Sequence, residues 1–207
     1  MGKQDNNRKD FAKWIRSANK KGWSPGTSTN YSFIENPEKN TIVISKSGID
    51  KSYFEASDFM EIDRKGNPTE EYKDISSSAE TKIHCELYDL FPSTNYILHS
   101  HSKPSTLISH LKKADKKITF AGYEVLKGLP SITTHDTSID LPIFENSQDM
   151  DAFRLVIRNN QKSLAINGFL MEKHGLYAWG DSFLDAKRHL EILEFLLDCE
   201  LTLLLKK

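Results

Sequence analysis

Apolar residues recur along this chain with two different periods, and the switches between them mark out helices and strands. Phe11, Trp14, Ile15 and Ala18 return at the spacing of one helical face, and Gly22 follows as a stop signal. Short runs of β-branched and aromatic residues come next at 31–34, 41–45 and 59–63, divided by Asn, Pro, Gly and Lys stretches that predict turns. Ser77 and Glu80 have the spacing of a capping box and open a predicted helix that runs to about residue 90, before Pro92. A strand is predicted over 96–101, then a helix after Pro104, a strand near Ile118 and a helix over 148–160.

Toward the end, 164–171 and 176–179 predict two strands, and His174 falls in the hairpin turn between them. A long helix from about Ser182 closes the chain. Its Leu190, Leu193, Leu197, Leu201 and Leu204 form one apolar stripe, a pattern of core or subunit contact. Helices mixed with hairpin-linked strands predict an α/β or α+β layered sandwich with antiparallel pairing. With no repeat or linker in view, the expected organisation is a polar tail over 1–10 and one domain over 11–207.

Composition narrows the partners. The 207 residues are 38% hydrophobic and 28% charged, which is globular, and a chain of this size needs no disulfide to hold a core. A formal charge of -1 gives no positive field for nucleic acid or anionic lipid, so a small molecule is the expected partner. Cys85 and Cys199 form no CxxC pair, which fits a reducing compartment and leaves nitrogen and oxygen as metal ligands. Residues 1–10 lack the apolar core of a secretion signal. Glu191, Glu194, Asp198 and Glu200 break the leucine-rich end well short of the ~20 apolar residues of a membrane span, so a cytoplasmic location is expected.

His99 and His101 stand two apart on a predicted strand, so both imidazoles leave one face and can bind one ion. Alone, such a pair equally fits two histidines at a sheet edge. His174 would be a third ligand, and three histidines leave a coordination position open, as in catalytic zinc sites. His84, His110, His135 and His189 have no comparable pairing and read as surface or core histidines. Two carboxylates remain of interest. The capping box accounts for Glu80, Glu124 reads as a solvated helix residue, and spacing alone gives neither a catalytic role.

Asn30-Tyr31-Ser32, Ser45-Lys46-Ser47-Gly48, Ser78-Ala79-Glu80, His99-Ser100-His101-Ser102 and His174-Gly175-Leu176-Tyr177-Ala178-Trp179-Gly180 occur in this order. With them the chain, from about residue 11 to 205, resembles the class II aldolase and adducin family. Ser47-Gly48-Ile49-Asp50-Lys51, Tyr123-Glu124-Val125-Leu126-Lys127-Gly128, Pro142-Ile143-Phe144-Glu145-Asn146 and residues 191–197 resemble more locally its sugar-phosphate dehydratases. The resemblance implies an α/β/α sandwich around a mainly antiparallel sheet, with one Zn²⁺ per subunit on His99, His101 and His174. It also implies Glu124 as the acid/base, Glu80 at the substrate where aldolases keep a proton-transfer glutamate, and a phosphate pocket of Asn30, Ser47, Gly48 and Ser78. Ala79 stands where aldolases often have a second Ser.

The implied reaction is dehydration of a phosphorylated ketose by a homotetramer with sites between neighbouring subunits. Two alternatives are an aldolase or epimerase on another sugar phosphate, and a non-catalytic adducin-like binding domain. The last has no need of an open metal site.

Overall fold

The computed structural model describes residues 3–206. Phe11, Trp14 and Ile15 project from one face of α1 (Lys3–Lys20) into a buried cluster with Tyr31 and Phe33 of β1 (Tyr31–Phe33). β2 (Thr41–Ser45), β3 (Phe59–Asp63), α2 (Thr81–Leu90), β4 (Tyr96–Ser100) and α3 (Lys103–Leu111) follow. The second half holds β5 (Lys117–Ala121), β6 (Ser138–Phe144), α4 (Met150–Asn159), β7 (Gly168–Met171), β8 (Gly175–Gly180) and α5 (Phe183–Leu204).

The strands form one eight-stranded sheet in the order β3-β2-β1-β4-β8-β7-β6-β5. Every pairing is antiparallel except β6 with β7. Alternation along the strands sends side chains to two separate cores. Leu98, Leu176 and Ala178 join α1, α3 and α5 in one cluster, whereas Ile97, Tyr177 and Trp179 join α2 and α4 in the other. The layering is therefore α/β/α around a mainly antiparallel sheet, in agreement with the sequence.

At three places the structure departs from the sequence reading. Met1 and Gly2 lie outside the described residues, but from Lys3 the expected polar tail is already helix. Residues 3–10 carry no apolar position, so no periodicity could reveal that helix. Arg8, inside the stretch, is anchored by ion pairs to Glu35 and Glu61 at 2.8 and 2.7 Å. The strand β6 was not predicted, because Asp140 and Pro142 interrupt its apolar run. Finally, the Ser77–Glu80 capping box does not form. α2 begins at Thr81, the Ser77 hydroxyl turns to the carbonyl of Gly66, and Glu80 makes no cap.

Candidate metal centre

The period of two along β4 returns His99 to the α2/α4 face, where it is fully buried. Its ring stacks on its cross-strand neighbour Tyr177, with centroids 3.8 Å apart and planes at 13°. Nδ1 donates to the Leu176 carbonyl at 3.0 Å, which leaves the lone pair on Nε2. His101 lies just beyond the strand end, and its backbone N–H donates to the Trp23 carbonyl at 2.8 Å. His174 sits in the turn between β7 and β8, after Lys173 in a left-handed conformation at φ 53°. Gly175 lets this turn close on β4, since a Cβ there would overlap the Ser100 carbonyl oxygen and stand 2.8 Å from His101 Cδ2.

His99 Nε2 is 2.7 Å from His101 Nε2 and 3.3 Å from His174 Nε2. Glu80 closes the group, with one oxygen 2.8 Å from His174 Nε2 and the other 3.7 Å from His99 Nε2. The four donor atoms lie within 4.8 Å of one another. Nitrogens bound at ~2.0–2.1 Å to a tetrahedral ion stand about 3.3 Å apart, so the His99–His174 separation already fits and the His99–His101 pair must open by roughly half an ångström.

Electrostatics favour the ligand state. Burial, and then the neighbouring His101, hold His99 well below the usual histidine range; burial and His174 bring His101 down to about 4. Both are neutral at pH 7 with free lone pairs. Burial works to raise the Glu80 carboxyl, but the His174 hydrogen bond, the adjoining His99 ring when protonated in acid, and the Asn30 amide hold it far below the usual carboxylate range. Neutral imidazoles beside a carboxylate, in a pocket with an open side, fit a divalent metal ion.

Beside this cluster opens a cavity of about 180 Å³, whose wall includes Asn30, Ser47, Gly48, Ser78, Glu80 and His101. The four residues assigned from sequence to a phosphate pocket thus share one space with Glu80 and His101 of the cluster. Asn30 is held by a chain of buried hydrogen bonds. Tyr88 and His84 Nδ1 contact the Ser32 hydroxyl at 2.9 and 2.7 Å, His84 Nε2 contacts Asn30 Oδ1, and Asn30 Nδ2 donates to Glu80. Burial keeps His84 neutral by lowering it to about 3. Histidine spacing assigned His84 no role; Ser32, 52 positions away on β1, supplies the contact that fixes this α2 side chain, and no local pattern signals that.

Lys51 was also missed. Its ammonium is buried, donates to the Ile49 carbonyl at 2.8 Å next to the Ser47-Gly48 wall, and is lowered to about 8 by burial. Glu124, by contrast, stands outside the cluster. It opens a short 3-10 helix (Glu124–Gly128), its side chain is 66% exposed, and it pairs with Lys127 and His135. Those partners, Lys127 first, hold its carboxyl below the ordinary value.

The model of the family described as Class II Aldolase and Adducin N-terminal domain matches residues 9–201. The chain is 49% identical over 187 residues to a methylthioribulose-1-phosphate dehydratase of Picosynechococcus sp., covering 90% of this chain and 87% of that one. A protein of the same name from Xanthomonas campestris pv. campestris is 40% identical over 190 residues, covering 92% and 86%. The fold superposes on L-fuculose-1-phosphate aldolase from Thermus thermophilus with a TM-score of 0.71 at 19% identity, across 94% of this chain and 93% of that one.

Proposed function

The chain belongs to the class II aldolase and adducin family, and from that membership we propose that it removes water from 5-methylthioribulose 1-phosphate with the help of one Zn²⁺ per subunit. The observation that carries this reading is the union of relatives at 40–49% identity with a His99, His101, His174 cluster opening onto a polar cavity. The product is 2,3-diketo-5-methylthiopentyl 1-phosphate, and the reaction belongs to methionine salvage. Among the described residues no helix is long and apolar enough to cross a membrane, and two unpaired cysteines suit the reducing cytoplasm.

His99, His101 and His174 would hold the ion, with Glu80 against it. When bound, the ion supplies Lewis acidity, polarising the C2 carbonyl and C3 hydroxyl and stabilising the charge left when the C3 proton departs. Ser47, Gly48, Ser78 and Asn30 receive the phosphate through hydroxyl, amide and backbone N–H donors, and Lys51 beside that wall supplies positive charge. Glu80 orients the substrate hydroxyls. Glu124 serves as acid/base, taking the C3 proton or protonating the departing C4 hydroxyl. Loss of the C3 proton and the C4 hydroxyl removes one water and leaves an enol that tautomerises to the 2,3-diketone.

Because Glu124 is exposed and away from its own cluster, it would act in the site of a neighbouring subunit, as part of a homotetramer. A second reading has a specific observation behind it: Glu80, where aldolases keep their proton-transfer glutamate, is the carboxylate that stands at the cluster. An aldolase would cleave C3–C4 instead. Incubation of the zinc-loaded protein with 5-methylthioribulose 1-phosphate tests both. The diketone is the expected product, and dihydroxyacetone phosphate with 2-(methylthio)acetaldehyde would overturn the dehydratase reading.

A further inference from the structure

Glu194 falls within the leucine stripe of α5, between Leu193 and Leu197, at a position where a carboxylate is costly to bury. It is nevertheless only 4% exposed. One carboxylate oxygen accepts the Ser100 hydroxyl and Oε2 has no hydrogen-bond partner, while the Ser102 hydroxyl donates to Ser105 Oγ at 3.0 Å. Burial pushes the carboxyl up to about 7 against the opposing pull of the Ser100 hydrogen bond.

Ser100 and Ser102 are the residues on either side of His101. Ser100 ends β4, and Ser102 caps α3 by accepting the Ser105 N–H at 3.0 Å, so the turn bearing His101 is the link between two elements. Gly175 closes over this turn from one side and the Trp23 carbonyl takes the His101 N–H. Glu194 supports it from α5. It does not line the cavity at the cluster, so substrate contact does not account for a buried carboxylate here.

We propose that Glu194 is a positioning residue for the metal: by holding Ser100, the residue before His101, it fixes the seat of His101 and so sets the affinity of the three-histidine site for a divalent ion. The proposal rests on the metal reading above. Outer hydrogen-bond partners of ligating residues commonly change metal affinity by about 10- to 100-fold when removed.

The test is Zn²⁺ binding to the metal-free full chain by competition with a chromophoric chelator, together with the visible spectrum of the Co²⁺-loaded protein. Glu194→Leu should weaken Zn²⁺ binding about 10- to 100-fold and shift the Co²⁺ bands, whereas Glu194→Gln, which keeps an acceptor for Ser100, should restore both to within about threefold of wild type. A Glu194→Leu protein that folds and has wild-type affinity and spectrum would overturn the proposal, as would a Glu194→Gln protein as impaired as Glu194→Leu. Should Glu194→Leu fail to fold, Ser100→Ala removes the donor instead, and unchanged affinity there counts equally against it. If wild type itself binds no Zn²⁺, the three-histidine reading falls and takes this one with it; if only the variants behave like wild type, the metal reading stands and the role of Glu194 does not.

Discussion

Replacing Gly175 by Ala adds one methyl where β8 meets the metal-bearing turn of β4. The new Cβ would overlap the Ser100 carbonyl oxygen, stand 2.8 Å from His101 Cδ2 and lie 3.0 Å from the Ser100 carbonyl carbon. Carbon contacts are comfortable at ~3.5 Å or more, so His101 must give way by roughly 0.7 Å, and the overlap with the Ser100 carbonyl oxygen forces the strands apart by more than that. Overpacking typically costs about 1–3 kcal/mol, and since the main obstacle is backbone that cannot rotate aside, the upper end, about 3 kcal/mol, is expected. For a chain of this length that lowers the melting temperature by roughly 6–12 °C. A shift of this size exceeds the ~0.5 Å tolerance of a preorganised site, so metal affinity should fall as well. Thermal melts of the metal-free protein and chelator competition measure the two effects separately. A Gly175→Ala variant that melts within about 2 °C of wild type and binds metal equally well would refute the close-approach argument.

His99→Ala should strip both metal and activity, and full metal content by elemental analysis would remove His99 from the site. Glu124→Gln should keep its metal while kcat falls by ~10²- to 10⁴-fold, with a smaller loss for Glu80→Gln; the reverse order would give the proton to Glu80. If Glu124 acts across a subunit boundary, co-refolding inactive Glu124→Gln with inactive His99→Ala should recover activity, and no recovery, or an active monomer by light scattering, would exclude a shared site. Lys51 carries its proton at a cost: with its amine lowered from 10.5 to about 8, the folded chain binds fewer protons than the unfolded one between those values. Wild-type stability should therefore rise with pH across that window. Lys51→Met should flatten this rise and be more stable at pH 7 by an amount on the order of 3 kcal/mol, while KM increases, and an unchanged KM would separate Lys51 from substrate binding.

Periodicity made most of the sandwich legible. Tyr31, Ile42, Phe59 and Ile97 announce strands because each side of the sheet is covered by helices, so the apolar pattern is dense. The start of α1 and the strand β6 escaped for opposite reasons, one having no apolar positions and the other having its run broken by Asp140 and Pro142. At the site, the spacing of His99 and His101 could be read locally, but joining His174 to them needed the pairing of β4 with β8, which the resemblance supplied and spacing did not. Glu80 shows the limit most clearly. Its spacing from Ser77 matches a capping box, yet the chain uses that carboxylate at the cluster, and only three-dimensional proximity to His174 and Asn30 tells the two uses apart.

The three histidines proposed to hold the ion come from two separated segments, and His99 and His174 are 75 positions apart. They meet only when β4 and β8 pair in the register that sets His99 opposite Tyr177 and Ser100 opposite Leu176. A slip by one residue would turn His99 to the opposite face of the sheet. A metal ion therefore has no complete set of ligands to gather until the slow, long-range pairing is finished, and it cannot guide the chain toward that pairing. In stopped-flow experiments saturating Zn²⁺ should leave the refolding rate nearly unchanged and slow unfolding instead, so that the ion acts as a latch on the finished molecule rather than as a template for making it.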